Sequence, residues 1–278
     1  MSLTNKIDFA IIIRAENCNP NGDPLDGNRP RLTFDNKGEI SDVAMKRKIR
    51  DRLQEAGFPI FVQCNEKRND DFTSLKSRYD ETKKTWKLTQ AEDKDFSTLR
   101  QKACEQWYDV RAFGQVFAFK GDDANVSLPV RGPVSIHPAF SIGDVTTFSQ
   151  QITKSTNSTG DADKGKSADT MGMKHRIDGE YIYVSYGSIN HQLSTVSGFN
   201  DEDAVALKNA LINLFKNDTS SARPDGSMEV VKLIWWEHNC PHGQYSSAKV
   251  HRSLSVNPDG KYDLTNLNGL TPKEIDGF

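Results

Sequence analysis

An apolar run from Ile7 to Ala15 leads directly into a stretch, residues 18–31, that is rich in Asn, Gly, Asp and Pro. Each of these residue types fixes turn geometry, through tolerance of positive φ, side-chain bonds to nearby amides or a locked φ. The stretch ends in Arg29 and Arg31 and is longer than a strand needs to reverse direction. It is therefore either an ordinary surface loop or a rigid loop whose guanidinium groups recognise an anionic backbone.

Charge is segregated along the chain. The net charge is −2, yet basic residues cluster in this opening loop, in residues 46–52 and in residues 174–176, while acidic residues concentrate elsewhere. Binding to a polyanion depends on local basic stripes, so the small net charge does not exclude a nucleic-acid partner.

The composition is that of a polar chain, with 36% hydrophobic residues and a mean hydropathy of −0.65. No apolar run approaches the roughly 20 residues of a membrane helix. Residues 1–6 lack the charged segment and apolar core of a secretion signal. We therefore expect a cytoplasmic protein with no membrane partner, folded as a single domain over residues 1–278.

Candidate catalytic and metal-binding groups are few. The four cysteines have no repeated spacing, which favours reduced thiols over a disulfide framework. His238, Cys240 and His242 alternate in a loop, but no second ligand pair accompanies them. The sequence contains no Walker loop, dinucleotide glycine fingerprint, paired-histidine zinc helix or nucleophile elbow. It predicts no catalytic residues, no metal and no cofactor.

Two carboxylates of the opening loop, Asp23 and Asp26, leave one alternative open. Mg²⁺ prefers oxygen ligands, so these side chains could bind it. Aspartates in such loops more often bond their own backbone, and this structural role is the other interpretation.

Residues 41–57 carry the pattern of an amphipathic helix with Ser41 as its N-cap. The apolar positions recur at spacings of four, four and three, at Met45, Ile49, Leu53 and Ala56. At 100° per residue, Lys46, Arg47 and Arg50 lie together beside this face. The flank is either a solvated charged surface or a phosphate-binding one, and the arginine loop upstream favours the second.

The remaining elements predict an α+β fold. Residues 60–110 are highly charged with helical apolar spacing, which indicates a helical insertion. Residues 155–170 are of low complexity and lie between two β-prone segments, which favours a projecting hairpin. Residues 113–119, 126–136, 180–189 and 229–236 read as strands, and Asn200 caps a second helix. Without the insertions, this order is that of a ferredoxin-like or RNA-recognition fold.

Several segments, in order, resemble the backbone subunit of CRISPR Cascade complexes in the RAMP superfamily, and specifically its type I-C branch. They are NPNGDP at 19–24, NRPR at 28–31, DV at 42–43, KRKIR at 46–50, DVRAFGQVFA at 109–118, RGPVSIH at 131–137, DTMGMKHR at 169–176, SSARP at 220–224, GSMEV at 226–230 and QYSSAK at 244–249. The resemblance runs from about residue 5 to residue 256, and the tail after Asn257 carries no recognisable motif.

This resemblance implies a hand-shaped fold. An RNA-recognition-like palm would comprise residues 5–60, 110–137 and 178–256, with helical fingers at 60–110 and a thumb hairpin at 138–178. Several copies would stack head to tail on one CRISPR guide RNA, which would pair with invading target DNA. The other implied partners are the guide-processing subunit, the large subunit and a recruited nuclease-helicase.

The resemblance also implies residue roles. The expected RNA-binding residues are Asn21, Arg29, Arg31, Lys46, Arg47, Arg50, Gln115, Arg131, Ser135, Lys154, Met171, Met173, Lys174, His175 and Arg176. The two methionines are expected to wedge at a displaced base, and Arg223 and Lys249 to face a neighbouring subunit or DNA. The implied protein is a scaffold and not an enzyme; the alternative is a RAMP-type endoribonuclease that cuts target RNA through Asp23.

Overall fold

The computed structural model describes residues 2–118, 127–153 and 170–278, apart from the side chains of Thr170 and Met171. Its strands are β1 (Ile7–Glu16), β2 (Gly22–Asp23), β3 (Arg29–Pro30), β4 (Lys37–Ile40), β5 (Gly114–Phe117), β6 (Leu128–Arg131), β7 (Val134–Ile136), β8 (Ala139–Asp144), β9 (Thr147–Thr153), β10 (Thr170–Ile177), β11 (Glu180–Ile189), β12 (Met228–Glu237), β13 (Leu254–Val256), β14 (Tyr262–Leu264) and β15 (Lys273–Asp276). Its α-helices are α1 (Asp42–Glu55), α2 (Leu75–Thr85), α3 (Phe96–Gln106), α4 (Tyr108–Phe113), α5 (His191–Ser197), α6 (Asp201–Ile212) and α7 (Ser247–His251).

A large antiparallel sheet organises the molecule, with strand order β15-β12-β1-β11-β8-β4 and β7 also paired with β11. The strand β1 is central and pairs along its whole length with β11, from Ile7 opposite Ile189 to Glu16 opposite Glu180. On its other side it pairs with β12. Side chains on both faces of β1 are buried, which explains why its sequence is a continuous apolar run and not an alternating one.

The helices α1 and α6 pack against each other over one face of this sheet. The Ser41 hydroxyl accepts the N–H of Ala44 at 3.2 Å, and Asn200 forms a capping box with Asp203. Both predicted helix starts are therefore confirmed. The apolar faces of the two helices meet residues of β1, β11 and β12 in the main core, which includes Phe9, Ile11, Ile13, Met45, Ile49, Leu53, Leu207, Leu211, Tyr183 and Trp235.

The opposite face of the sheet is covered by the C-terminal part of the chain. Ala10, Ile234 and Trp236 of the sheet pack there against Val250 and Leu254. The residues that follow form the β13–β14 hairpin and then β15, which pairs with β12 at the edge of the main sheet. The tail after residue 257, in which the sequence showed no motif, thus supplies the edge strand.

The region between α1 and β5 is helical, as predicted, and has its own core. The rings of Phe61, Tyr79, Trp107 and Phe117 contact one another, with centroid distances that include 4.7 Å for Phe61–Trp107 and 4.8 Å for Tyr79–Phe117. The predicted strand from residue 113 begins one residue later, because Phe113 is still the last residue of α4. Across the described ranges, no helix is long and apolar enough to cross a membrane.

Two glycines mark a close crossing of the chain between α4 and β6. Gly114 has φ +79°, and a Cβ on it would lie 2.5 Å from the carbonyl oxygen of Val130. A Cβ on Gly132 would lie 2.2 Å from the carbonyl oxygen of Ala112. Any side chain would push the two segments apart, so both positions require glycine.

A separate two-stranded antiparallel sheet, β9 with β10, projects from the main sheet. This pairing agrees with the predicted hairpin, and residues 154–169, where its tip is predicted, lie outside the described residues. The hairpin begins at Thr147, later than the predicted residue 138, because β8 pairs with β11 and β4 in the main sheet.

Candidate nucleic-acid interface

The opening loop is tied to the start of α1. The Asn21 side-chain oxygen accepts hydrogen bonds from the backbone N–H and the hydroxyl of Ser41, both at 2.9 Å. Strands β2 and β3 pair within the loop, and a Cβ on Gly22 would overlap the Asn28 side chain at 2.3 Å. The loop is thus rigid, as its composition predicts, and the side-chain oxygen of Asn21 attaches it to Ser41.

The carboxylates of the opening loop serve its own structure. Asp23 accepts the N–H of Leu25 at 3.0 Å and lies 3.5 Å from Arg31 Nη2. Asp26 lies 3.9 Å from Arg29 Nη1. The structural interpretation of these aspartates is supported, because Asp23 caps a 3₁₀ turn. Within residues 2–118, 127–153 and 170–278, no group of three His, Cys, Asp or Glu side chains is arranged to hold a metal ion.

The loop arginines remain accessible. The Arg29 side chain is 54% exposed, and that of Arg31 is 32% exposed. A guanidinium carries five N–H donors, so Arg31 retains donors that its contact with Asp23 does not use. Guanidinium donors of this kind suit bidentate contacts with phosphate oxygens.

The opening loop and the base of the hairpin form one surface. The backbone N–H of Ile177 donates to the carbonyl of Cys18 at 2.8 Å. Asn17 and Gly179 are joined by two hydrogen bonds, one of them from the Gly179 N–H to the Asn17 side chain. Strand β3, which carries Arg29, lies against β10. The arginines of the loop and the cations of β10 are therefore neighbours in space although about 145 positions separate them in the sequence.

The hairpin presents two different faces, because side chains of a strand alternate. On one face Arg176 stacks over Phe148 with 5.2 Å between guanidinium and ring centroid, and Lys174 lies two residues away on the same strand. On the other face Met173 is 53% exposed, and His175 Nδ1 lies 2.8 Å from the Ser149 hydroxyl. The side chain of Met171 and all of Lys154 lie outside the described residues.

The structure corrects the expectation that three cations of α1 face outward, because Arg50 is internal whereas the side chains of Lys46 and Arg47 are 25% and 28% exposed. Arg50 Nε donates to Asp109 Oδ2 at 2.8 Å, and its side chain is only 12% exposed. Arg47 Nε donates to Asp51 at 2.9 Å and Arg47 Nη1 to the carbonyl of Val62 at 2.7 Å.

The reason for this difference is tertiary. Asp109 also accepts the backbone N–H groups of Phe61 and Val62, so the helical region supplies the carboxylate that Arg50 needs. Lys46 has a more exposed partner, Asp42, at 3.1 Å on the preceding turn of α1. Lys46 is therefore the residue of this flank best able to exchange its partner for a phosphate.

The remaining predicted residues lie in other parts of the fold. Gln115 and Arg131 belong to the β5–β6 pair, which packs on α3 and α4, and Ser135 lies on β7 opposite Ser188. Lys249 lies over the Tyr245 ring at 4.4 Å. These residues lie on elements other than the opening loop and the β9–β10 hairpin.

Arg223 belongs to a partly buried charge cluster. Its Nε donates to Asp218 Oδ2 at 3.1 Å, and Lys48 of α1 forms a second ion pair with the same carboxylate. Burial lowers the pKa of Lys48 to about 8, although Asp218 opposes this effect. Lys48 thus joins α1 to the loop before β12. No pattern in the sequence indicated this structural role.

His238, the first residue of the alternating His-Cys-His stretch, has a partner at each ring nitrogen. Its Nε2 lies 2.8 Å from Asp8 Oδ2, and its Nδ1 accepts the N–H of Gln244 at 2.9 Å. Burial alone would raise the pKa of Asp8, but hydrogen bonds from His238, Ser247 and Lys6 outweigh it and lower the pKa. Both ring nitrogens are thus occupied in attaching the loop after β12 to β1.

Sequence reasoning missed two residues of this region. Phe148 lies under Arg176 and belongs to a segment that was recognised as β-prone. The alternation of side chains along that segment could have placed Phe148 opposite the basic residues of β10. Asp109 was recognised only as part of a motif, and no local pattern pairs it with Arg50, which is 59 positions away.

The family model for CRISPR-associated protein Cas7 matches residues 5–273. A CRISPR-associated protein Cas7 from Haloferax volcanii is 28% identical over 238 residues, which cover 80% of this chain and 67% of the relative. A chain of a solved CRISPR RNA-guided surveillance complex in a pre-nicking state has a TM-score of 0.48 at 15% identity, covering 84% of this chain and 76% of that one. A second such complex has a TM-score of 0.47 at 15% identity, covering 92% and 78%.

Proposed function

Because the chain belongs to the family of CRISPR-associated protein Cas7, we propose that it is the backbone subunit of a type I-C Cascade surveillance complex. Several copies bind along one guide RNA, hold its phosphates and leave its bases free to pair with invading target DNA. Base pairing then supplies the sequence specificity and the protein supplies shape and charge, as in other RNA-guided effectors.

The observation that carries this proposal is the surface shared by the opening loop and the hairpin. Arg29 and Arg31 of the loop lie beside the strand that carries Lys174 and Arg176. A rigid, cationic surface with an exposed aromatic ring, Phe148 at 43% exposure, suits a single-stranded nucleic acid. Phosphate contacts of this kind fix the register of the strand without reading its sequence.

The fold supports the same proposal. Strands β12, β1, β11 and β8 lie side by side, with α1 and α6 packed over one face, and we infer that they are a ferredoxin-like palm. The helical region between α1 and β5 would be the fingers and the β9–β10 hairpin the thumb. In this assignment Met173, on the face opposite Lys174, is available to wedge at a displaced base.

The individual contacts are assigned from the exposure of each cation and from the partners that it already has in the fold. We assign guide phosphates to Arg29, Arg31, Lys46, Lys174 and Arg176, whose side chains are at least partly accessible. Arg47 and Arg50 have internal partners and support the helix that carries Lys46. The proposed further partners are the guide-processing subunit, the large subunit and a recruited nuclease-helicase of the complex.

A cleavage assay separates the scaffold from the endoribonuclease alternative. The complex, assembled with guide RNA, is incubated with Mg²⁺ and either matched target RNA or matched target DNA. We expect bound DNA and intact RNA, because Asp23 is occupied by Leu25 and Arg31. RNA cleavage that disappears in Asp23→Ala would contradict the scaffold proposal.

A further inference from the structure

The β9–β10 hairpin is attached to the main sheet by two short connections. Residues 145–146 join β8 to β9, and residues 178–179 join β10 to β11. The N–H of Asp178 donates to the carbonyl of Thr146 at 2.8 Å, so one backbone bond links the two connections directly. Because each connection is so short, the orientation of the hairpin depends on the groups that hold these residues.

A tyrosine hydroxyl makes a second link between the two connections. The Tyr181 hydroxyl accepts the N–H of Thr146 at 3.1 Å and donates to the carbonyl of Asp178, also at 3.1 Å. The ring of Tyr181 packs against the main core, and its backbone pairs with Ala15 of β1. The hydroxyl therefore has a fixed place on the sheet and attaches the base of the hairpin to it.

An asparagine attaches the same base to the opening loop. The N–H of Asn17 donates to the carbonyl of Gly179 at 3.0 Å, and the Asn17 side-chain oxygen accepts the N–H of Gly179 at 3.1 Å. Asn17 has φ +48°, a conformation that asparagine adopts more readily than most residues. It directly precedes Cys18, whose carbonyl accepts the N–H of Ile177. We call Asn17 and Tyr181 the clamp.

The clamp contributes more to the orientation of the hairpin than to the stability of the fold. Asn17, Thr146 and Asp178 are exposed, so water can satisfy their polar groups if the clamp is opened. A hydrogen bond that replaces one to water contributes little to the free energy of unfolding. Bonds to fixed groups of the sheet and the opening loop nevertheless restrict the base to one orientation, which bonds to water would not do.

Orientation matters because the hairpin acts as a lever. Lys174 is three residues from Ile177, the last residue of β10, which places its backbone about 10 Å from the base. A tilt of about 10° at the base would therefore move the backbone of Lys174 by about 2 Å. A shift of this size breaks a hydrogen bond, in which donor and acceptor lie within about 3.2 Å. Binding groups on such a lever need supporting residues that hold them in place.

We propose that Asn17 and Tyr181 are positioning residues, which orient the hairpin so that its cations and the arginines of the opening loop contact the same strand of guide RNA. This inference rests on the proposed function, because that function assigns guide phosphates to both sets of cations. Neither clamp residue contacts the RNA; each acts through the segments that it joins. The competing interpretation is that the clamp serves only the stability of the fold.

Two conservative variants open the clamp, each with a matched control. Tyr181→Phe removes one oxygen and retains the ring in the core. Its control is Tyr186→Phe, five residues further along β11, where the ring stacks on His251 at a centroid distance of 4.9 Å. Asn17→Gly removes the side-chain acceptor and tolerates the positive φ. Its control is Asn217→Gly in the loop after α6, where the asparagine has φ +54°.

Affinity is measured by fluorescence anisotropy on a short guide RNA that binds one copy, so that contacts between copies play no part. We expect Tyr181→Phe and Asn17→Gly each to weaken binding by about threefold, a loss of the size that a hydrogen bond contributes. Both controls should bind as the wild type does. The melting temperatures of the two clamp variants should fall by about 3 °C or less, because the lost bonds are exposed.

Combination with other variants separates orientation from stability. In a protein that already carries Lys174→Ala and Arg176→Ala, Tyr181→Phe should cause little further loss of affinity, because the cations that the clamp orients are gone. In a protein that carries Lys46→Ala, which removes a cation of α1, Tyr181→Phe should again weaken binding by about threefold. Lower stability alone would reduce the affinity equally in both backgrounds.

The results distinguish the clamp from the proposed function. Wild-type affinity in both clamp variants would overturn the positioning role while the proposed function stands. Equal losses in the two backgrounds, or a larger fall in melting temperature than expected, would also overturn it, because the clamp would then serve the fold. If the wild type itself does not bind guide RNA, the proposed function fails.

Discussion

Arg50 and Asp109 form an internal ion pair in which Arg50 Nε donates to Asp109 Oδ2 at 2.8 Å. Asp109 is 1% exposed and also accepts the backbone N–H groups of Phe61 and Val62 at 2.7 and 3.0 Å. One carboxylate, which belongs to α4, therefore bonds both α1 and the chain segment that follows α1. Arg50, a cation that the sequence pattern assigned to RNA, thus links α1 to the helical region that follows it.

Arg50→Ala is expected to destabilise the fold before it affects RNA binding. It leaves the buried Asp109 without its charged partner, and breaking a buried ion pair of this kind costs about 3 kcal/mol. For a chain of this size the melting temperature should fall by roughly 5–10 °C. Urea unfolding and thermal melts of the RNA-free protein measure this change.

The control for Arg50 is Lys46→Ala, whose partner Asp42 is on the exposed side of α1. Its free energy of unfolding should change by less than about 1 kcal/mol, because exposed ion pairs contribute little. Equal stability of the two variants would show that the Arg50–Asp109 pair has no structural role.

Arg29→Ala combined with Lys174→Ala is expected to weaken binding to all RNA sequences alike. Each lost phosphate contact should reduce the slope of log affinity against log salt concentration by about 0.7 for a single strand. Lys84→Ala is the control, because Lys84 is 70% exposed and belongs to α2 and not to the opening loop or the hairpin. Fluorescence anisotropy at several salt concentrations gives the slopes, and an unchanged slope in the double variant would contradict the assigned surface.

Gly132→Ala is expected to prevent normal packing of β6 on α4. Its Cβ would lie 2.2 Å from the carbonyl oxygen of Ala112, a backbone atom that cannot move independently. Gly143→Ala is the matched control, since a Cβ there has no neighbour within 4 Å. We expect Gly132→Ala to lower the melting temperature or the soluble yield and Gly143→Ala to leave both unchanged. Similar behaviour of the two variants would contradict the close crossing of the two segments.

Lys48→Met is expected to change how stability depends on pH. The folded chain releases the Lys48 proton near its pKa of about 8, whereas the ordinary pKa of a lysine is 10.5. Between these values the unfolded state binds more protons, so the free energy of unfolding of the wild type rises with pH. From about pH 7.5 to about pH 9.5 the wild type should gain about 2 kcal/mol relative to Lys48→Met.

Urea unfolding of both proteins at the two pH values, at constant ionic strength, measures this difference. Asp218 retains Arg223 as a partner in Lys48→Met, so the variant is expected to fold. Parallel pH dependence of the two proteins would show that burial does not lower the Lys48 pKa.

The parts of the fold that follow from local pattern were predictable from the sequence. The helix α1 begins where Ser41 predicts it, and Met45, Ile49 and Leu53 are buried as their spacing requires. The hairpin and the helical region were also recognised, because each has a distinct composition.

The parts that depend on distant contacts were not predictable. Periodicity places Arg50 on a helix flank but cannot show that Asp109, 59 positions later, reaches it. The assignment of β8 to the hairpin failed for the same reason, since its pairing with β4 and β11 is tertiary. The edge strand β15 carries Lys273, Glu274 and Asp276, and such polar edge strands have little apolar pattern to detect.

The most direct test of the guide-RNA scaffold is the number of copies bound to guide RNAs of increasing length, measured by native mass spectrometry. The proposed function predicts that copy number rises in integer steps, with a constant number of nucleotides added per copy. A single bound copy at every guide length, or no bound RNA, would contradict it.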